Sequence, residues 1–206
     1  MEYLTKEEIQ KMLYAARQQK ERDYLFLKTL WLTGARISEI VGVRACDATD
    51  GTAHPELGLT PSAINPRDNL LRLACLKRRK YGGEFRWVRV PSGFVQELLA
   101  YCHKHGIAET DRIFQFGRDW AYRLVRTYAE RAGVRLTPNP AAKKGLEVSP
   151  HKFRHANAIH IIQRSKDLLG GLVLVQRRLG HKNLSTTLVY MKYHPSEEER
   201  AIVEQL

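Results

Sequence analysis

The stretch SPHKFRHANAIH, residues 149–160, is where the reading of this chain turns. Ser149 and Pro150 are helix-start signals, because proline's fixed φ suits the first helical turn and its missing N–H has no partner there anyway. Side chains three and four positions apart share a helix face. His151, Arg154 and His155 therefore stand within about one turn of each other. A zinc-protease reading requires His-Glu-x-x-His, and Lys152 stands where the general-base glutamate would be, so no metal site is expected. Phosphate chemistry fits better, since an arginine fork beside an imidazole offers several donors to phosphodiester oxygens. Taken alone the spacing is weak, because a solvated arginine on a helix face would give the same pattern. His160 reads as an ordinary histidine facing core or solvent.

Charge narrows the partner. The 206 residues carry 34 Lys and Arg against 22 Asp and Glu, a formal net charge of +12, which points to a polyanion and most naturally to nucleic acid. With 43% apolar residues the chain can bury one good core. No run approaches the roughly 18 apolar residues of a spanning helix; GLVLV at 171–175 is the longest compact one, so no membrane partner is expected. The N-terminus, MEYLTKEEIQKM, lacks the build of a secretory signal. Cys46, Cys75 and Cys102 are scattered and odd in number. The expectation is a cytoplasmic protein with reduced thiols, nucleoid-associated if prokaryotic.

Thr5 and Glu8 form a capping-box signature ahead of Ile9, Met12, Leu13 and Ala16 at helical spacing. YLFLKTLWL (24–32) predicts a buried helix stopped by Gly34, with a short third helix carrying Ile37, Ile40 and Val41. Residues 47–69 are rich in Gly, Pro, Asn and Asp and predict one long loop, functional or mobile. LLRLACL (70–76) and EFRWVRV (84–90) predict a hairpin whose tip holds Lys77, Arg78, Arg79 and Lys80. Helices are predicted at about 93–105, 117–132, 151–164, 172–179 and 185–193, and Ser196 with Glu199 caps a last one over 196–206. The class is α+β, mainly α with one small antiparallel β-sheet.

Several motifs then fall in a fixed order: TGARISEI at 33–40, a lysine on a hairpin, HKFRH at 151–155, LGH at 179–181, and Tyr190 nine residues after His181. Together they resemble the tyrosine recombinases, over about residues 3–194, and specifically the DNA breaking-rejoining catalytic domain of phage integrases and chromosome-dimer resolvases. The resemblance implies a catalytic set of Arg36, Lys77, His151, Arg154 and His181, with Tyr190 as nucleophile. Glu39 matches the family's supporting acidic residue. Lys80 is the rival for the hairpin lysine, and Arg78, Arg79, Lys80 and Lys152 are expected DNA contacts.

Physical chemistry supports such a set. A phenol with pKa near 10 lies about three units from ionised at pH 7, roughly 4 kcal/mol, so an attacking tyrosine needs a base or cations nearby. Fixed donors on the charge-gaining phosphate oxygens are worth about 100- to 1000-fold each. A lysine on a basic hairpin can supply the proton that the departing 5′-oxygen needs. His151 serves as proton acceptor or phosphate donor. The phosphotyrosyl link keeps the bond energy for rejoining, so neither metal nor cofactor is required.

The resemblance further implies site-specific strand exchange of double-stranded DNA, with a dimer on each site and a tetramer at the synapse. The alternatives are a type IB topoisomerase-like nicking-resealing enzyme and a non-catalytic DNA-binding regulator. Three departures stand out, one of them a slight excess between Arg154 and His181, around SKDLLGG. The 47–69 segment reads as an insertion, and a single catalytic domain over 1–206 leaves no room for the family's N-terminal clamp domain. The helix after Pro195 either docks on a neighbouring subunit or folds back on its own core. Within LGHKNLSTTLVYMKY, Leu184, Leu188 and Met191 form the expected apolar stripe with Tyr190 and Tyr193 off it, so periodicity does not choose between the tyrosines. Family spacing chooses Tyr190, and Tyr193 is expected to pack near the Pro195 turn.

Overall fold

A computed structural model describes residues 3–43, 53–54, 57–76, 84–134 and 148–194. Helix α1 (Lys6–Arg17) opens as expected: the Glu8 N–H donates to Thr5 Oγ1 at 3.2 Å while the Thr5 N–H donates to Glu8 Oε2 at 2.7 Å. Its buried stripe, Ile9, Met12 and Ala16, lies against α2 (Glu21–Thr33), whose Leu25, Phe26, Leu27 and Leu30 are all buried. Helix α2 stops at Gly34, with φ +62°. There a Cβ would suffer the left-handed penalty and would lie 2.6 Å from Leu179 Cδ2. The short α3 (Ile37–Val41) follows at once.

The 47–69 segment is not one open loop: within its described part, Leu57, Leu59, Ala63 and Ile64 are buried. A 3-10 turn at Pro61–Ala63 leads into strand β1 (Ile64–Asn65), which pairs antiparallel with β2 (Leu70–Ala74). Asn65 Oδ1 closes the connecting turn by accepting from the N–H groups of Arg67 and Asp68. Isolated apolar residues among turn formers have no period, which is why the strand escapes pattern reading. With β3 (Phe85–Arg89) the sheet has three antiparallel strands in the order β1-β2-β3. Arg86 and Val88 point inward on β3, while Phe85, Trp87 and Arg89 point outward. Beyond β2, the Cys75 N–H donates to the Glu84 carbonyl, so the ladder runs to the edge of the described residues. The predicted basic tip at 77–80 lies outside them.

Helices α4 (Ser92–Lys104), α5 (Arg118–Arg131) and α6 (Pro150–Arg164) follow close to their predicted spans. Helix α6 is the shared wall of two cores. Phe153 and Ala156 join the main cluster with Phe26, Phe94 and Phe114, whereas Ala158, Ile159 and Ile162 join a second one with Leu172, Val175, Leu179 and Tyr190. Each fully buried phenylalanine adds roughly 1.5–3 kcal/mol through area removed from water.

Helix α7 (Leu168–Leu179) begins four residues before the predicted 172, because Asp167 caps it by accepting from the Gly170 N–H at 2.6 Å. The predicted 185–193 helix is instead α8 (Ser185–Leu188) and a 3-10 turn at Met191–Tyr193. This break inverts the expected stripe: Leu184, Leu188 and Met191 are exposed, and Tyr190 is buried. Tyr193 packs edge-on against Tyr3, ring centroids 5.3 Å apart. Pro195 and the predicted helix at 196–206 lie outside the described residues.

Candidate active site

The site is built where two helices end side by side. The last carbonyls of a helix lack intrahelical donors and form the negative end of its dipole, so they attract cationic donors. Arg154, on α6, supplies one: Nη1 donates to the Gly34 carbonyl at 2.8 Å and Nη2 to the Leu179 carbonyl at 2.7 Å, joining the ends of α2 and α7. Arg178 donates to the carbonyls of Leu32 and, at 2.9 Å, Arg89. Arg86 Nε donates to the Arg178 carbonyl at 2.8 Å, and Asn157 Nδ2 to that of Trp31 at 2.7 Å. The two glycines of TGAR and LGH are left-handed stops that bring these ends together. Gly180 has φ +65°, and a Cβ there would lie 3.2 Å from Arg86 Cδ.

One carboxylate anchors the cluster. Glu39 is fully buried and takes three bonds: from the Arg36 N–H (2.8 Å), Arg36 Nη1 (3.0 Å) and Arg86 Nη2 (2.6 Å). Burial works to raise its pKa, but the charge and hydrogen bond of Arg86, followed by Arg36, outweigh burial and hold it below the usual carboxylate range. Arg154 is brought down to about 10, first by desolvation and then by the charge of Arg36. Three guanidinium groups, Arg36, Arg86 and Arg154, thus act on a single carboxylate, which leaves an excess of positive charge at the cluster.

Arg36 stays partly exposed, at 22% of its side chain, and lines a cleft of about 290 Å³. His151, Leu76, Arg118 and Tyr122 share that cleft, so α3, the end of β2, α5 and the start of α6 all meet there. Arg154, at 2% exposure, lies beneath the surface. His181 follows the α7 stop, and its Nδ1 shares a 2.9 Å hydrogen bond with the buried Thr187 Oγ1. Tyr190 is 3% exposed; its hydroxyl lies 2.8 Å from His155 Nδ1. Desolvation raises its pKa, and the charge of Arg154 pulls the other way.

The structure brings Arg36, His151, Arg154, His181 and Tyr190 to one region, and Lys152 sits half-buried on α6. Lys77, Arg78, Arg79 and Lys80 lie outside the described residues, although Leu76, the residue before Lys77, lines the cleft. Among the described residues no cluster of His, Cys, Asp and Glu could hold a metal ion, and no helix is long and apolar enough to cross a membrane. Sequence reading passes over Arg86, Arg178, Arg118 and Tyr122. Arg86 does leave a signal, since it falls in phase with Val88 and Val90 on the inward face of β3.

Comparison with known proteins places the fold. The phage integrase family model matches residues 91–197. Tyrosine recombinase XerA of Thermococcus kodakarensis is 26% identical over 98% of this chain and 64% of its own length. The chain spans 59–64% of the length of that protein and three other curated relatives. Among solved structures, a post-cleavage complex of XerH site-specific recombinase on its palindromic difH substrate superposes with TM-score 0.69, at 21% identity over 97% of this chain and 52% of that one. The catalytic domain of bacteriophage HP1 integrase superposes with TM-score 0.64, at 19% identity over 98% of this chain and 94% of that one. The fold is that of the tyrosine recombinase catalytic domains, and with more than half of its residues under the family model, the chain belongs to the phage integrase family.

Proposed function

We propose that the chain is the strand-transferring part of a site-specific DNA recombinase. The observation that carries this reading is the cluster of Arg36, Arg86 and Arg154 around the single carboxylate of Glu39, with Tyr190 near enough for the charge of Arg154 to act on its phenol. In the reaction, Tyr190 Oη forms a bond to a DNA phosphorus as the bond to the 5′-oxygen breaks, leaving a 3′-phosphotyrosyl link and a free 5′-hydroxyl. A partner strand's hydroxyl reverses the step. Arg36, Arg154 and His181 stabilise charge on the non-bridging oxygens, each worth about 100- to 1000-fold. His151, in the cleft beside Arg36, contacts the same phosphate or moves a proton. Lys77 protonates the departing oxygen, and Arg78, Arg79, Lys80 and Lys152 hold the DNA backbone. A dimer on each site and a tetramer at the synapse complete the exchange, which takes place in the cytoplasm.

Incubation with a nicked suicide substrate followed by denaturing electrophoresis tests the reading. Wild type and Tyr193→Phe are expected to form a covalent protein-DNA adduct, and Tyr190→Phe none. An adduct that persists in Tyr190→Phe would overturn the assignment.

A further inference from the structure

The nucleophile assigned above is buried, with Tyr190 only 3% exposed. Its ring is packed in the second core with Ile159, Leu172 and Val175, and a phenol buried there requires a hydrogen-bond partner for its hydroxyl. That partner is His155, whose Nδ1 lies 2.8 Å from Tyr190 Oη, with the rings tilted at 56° and their centroids 5.8 Å apart. Burial, followed by the charges of His151, Lys152 and Arg154, drives the His155 pKa down to about 4, so the imidazole is neutral near pH 7 and can accept. The phenol is protonated there, so it donates when the imidazole carries its proton on Nε2. Attack on phosphorus requires this hydrogen bond to break and the ring to leave its pocket.

We propose that His155 is a positioning residue: its hydrogen bond holds Tyr190 in a stowed setting and so sets the fraction of protein that presents the nucleophile. The placement of the latch supports this. His155 is one turn along α6 from His151, and their rings meet edge to face at 4.5 Å between centroids. The latch thus touches a residue of the phosphate cleft on one side and the nucleophile on the other. Binding at the cleft acts one ring away from the bond that must open. The proposal rests on Tyr190 being the nucleophile.

The test is single-turnover adduct formation on the nicked suicide substrate at saturating DNA, with DNA affinity measured separately. His155→Phe keeps the ring volume and removes the acceptor; His155→Leu replaces it if thermal melting shows that it does not fold. His155→Asn keeps an acceptor atom close to the position of Nδ1. Because one ordinary hydrogen bond shifts a two-state population by roughly three- to tenfold, His155→Phe is expected to form adduct faster by about that factor, with unchanged DNA affinity. His155→Asn is expected to return the rate towards wild type. Equal rates in all three proteins would overturn the latch, and so would slower cleavage in His155→Phe, which would place His155 in the chemical step or in structural support. A wild type that forms no adduct would instead overturn the strand-transfer reading on which the latch rests.

Discussion

At the scale of single residues, the site owes its form to arginines that serve main-chain carbonyls. Arg154 and Arg178 are desolvated enough to fall to about 10, and both spend donors on helix ends. Arg36 and Arg154 are legible from sequence because each sits in a short motif of fixed spacing. Arg86 leaves only its inward phase on β3, and Arg178 sits in no such motif. His155 is the residue whose titration should show. Its ordinary pKa of 6.5 falls to about 4 in the folded protein, through burial first and then His151, Lys152 and Arg154. Between those values the unfolded chain binds the extra proton, so this contribution to stability is full above about pH 6.5 and is lost progressively as pH falls towards 4. Thermal melts at pH 7 and pH 4.5 should therefore show a larger acid-induced drop for wild type than for His155→Phe, while the depressed His160 contributes equally to both. Parallel drops would mean that His155 is not held neutral by the fold.

At the scale of elements, helix ends decide the geometry more than helix faces do. The capping box of α1, the glycine stop of α2 and the proline start of α6 are all readable, because each is a local signal carried by a few adjacent residues. The break after α8 is not. Its pattern suggests one helix with Leu184, Leu188 and Met191 buried, yet the chain turns at Tyr190 and buries that ring against α6 and α7 instead. Tertiary packing overrides a weak period. Gly34 tests the primacy of helix ends. Alanine there must adopt a left-handed φ, costing about 1–2 kcal/mol, and must also displace Leu179, whose carbonyl holds Arg154. Gly34→Ala is expected to lower the melting temperature and slow adduct formation together. A stable variant with wild-type cleavage would show that the α2–α7 junction tolerates movement.

For the whole molecule, what matters in a net charge of +12 is where the charge sits. Arg86, Arg154 and Arg178 are sunk into the junction of helix ends, so they organise the site and contribute little to encounter. In the proposed encounter with DNA, the densest run of cations in the sequence is Lys77, Arg78, Arg79, Lys80. The run is proposed above to hold the DNA backbone, and in sequence it directly follows Leu76, which lines the cleft with Arg36 and His151. Removing one phosphate-binding cation should reduce the steepness of log K against log salt by about 0.9. Arg78→Ala with Arg79→Ala should therefore flatten the slope by about 1.8, weakening binding to any duplex alike, since cations on the DNA backbone read no sequence. Fluorescence anisotropy over a salt series on two unrelated duplexes measures this directly. An unchanged slope would remove the run from the DNA interface, and weakening confined to one duplex would make it a reader of bases.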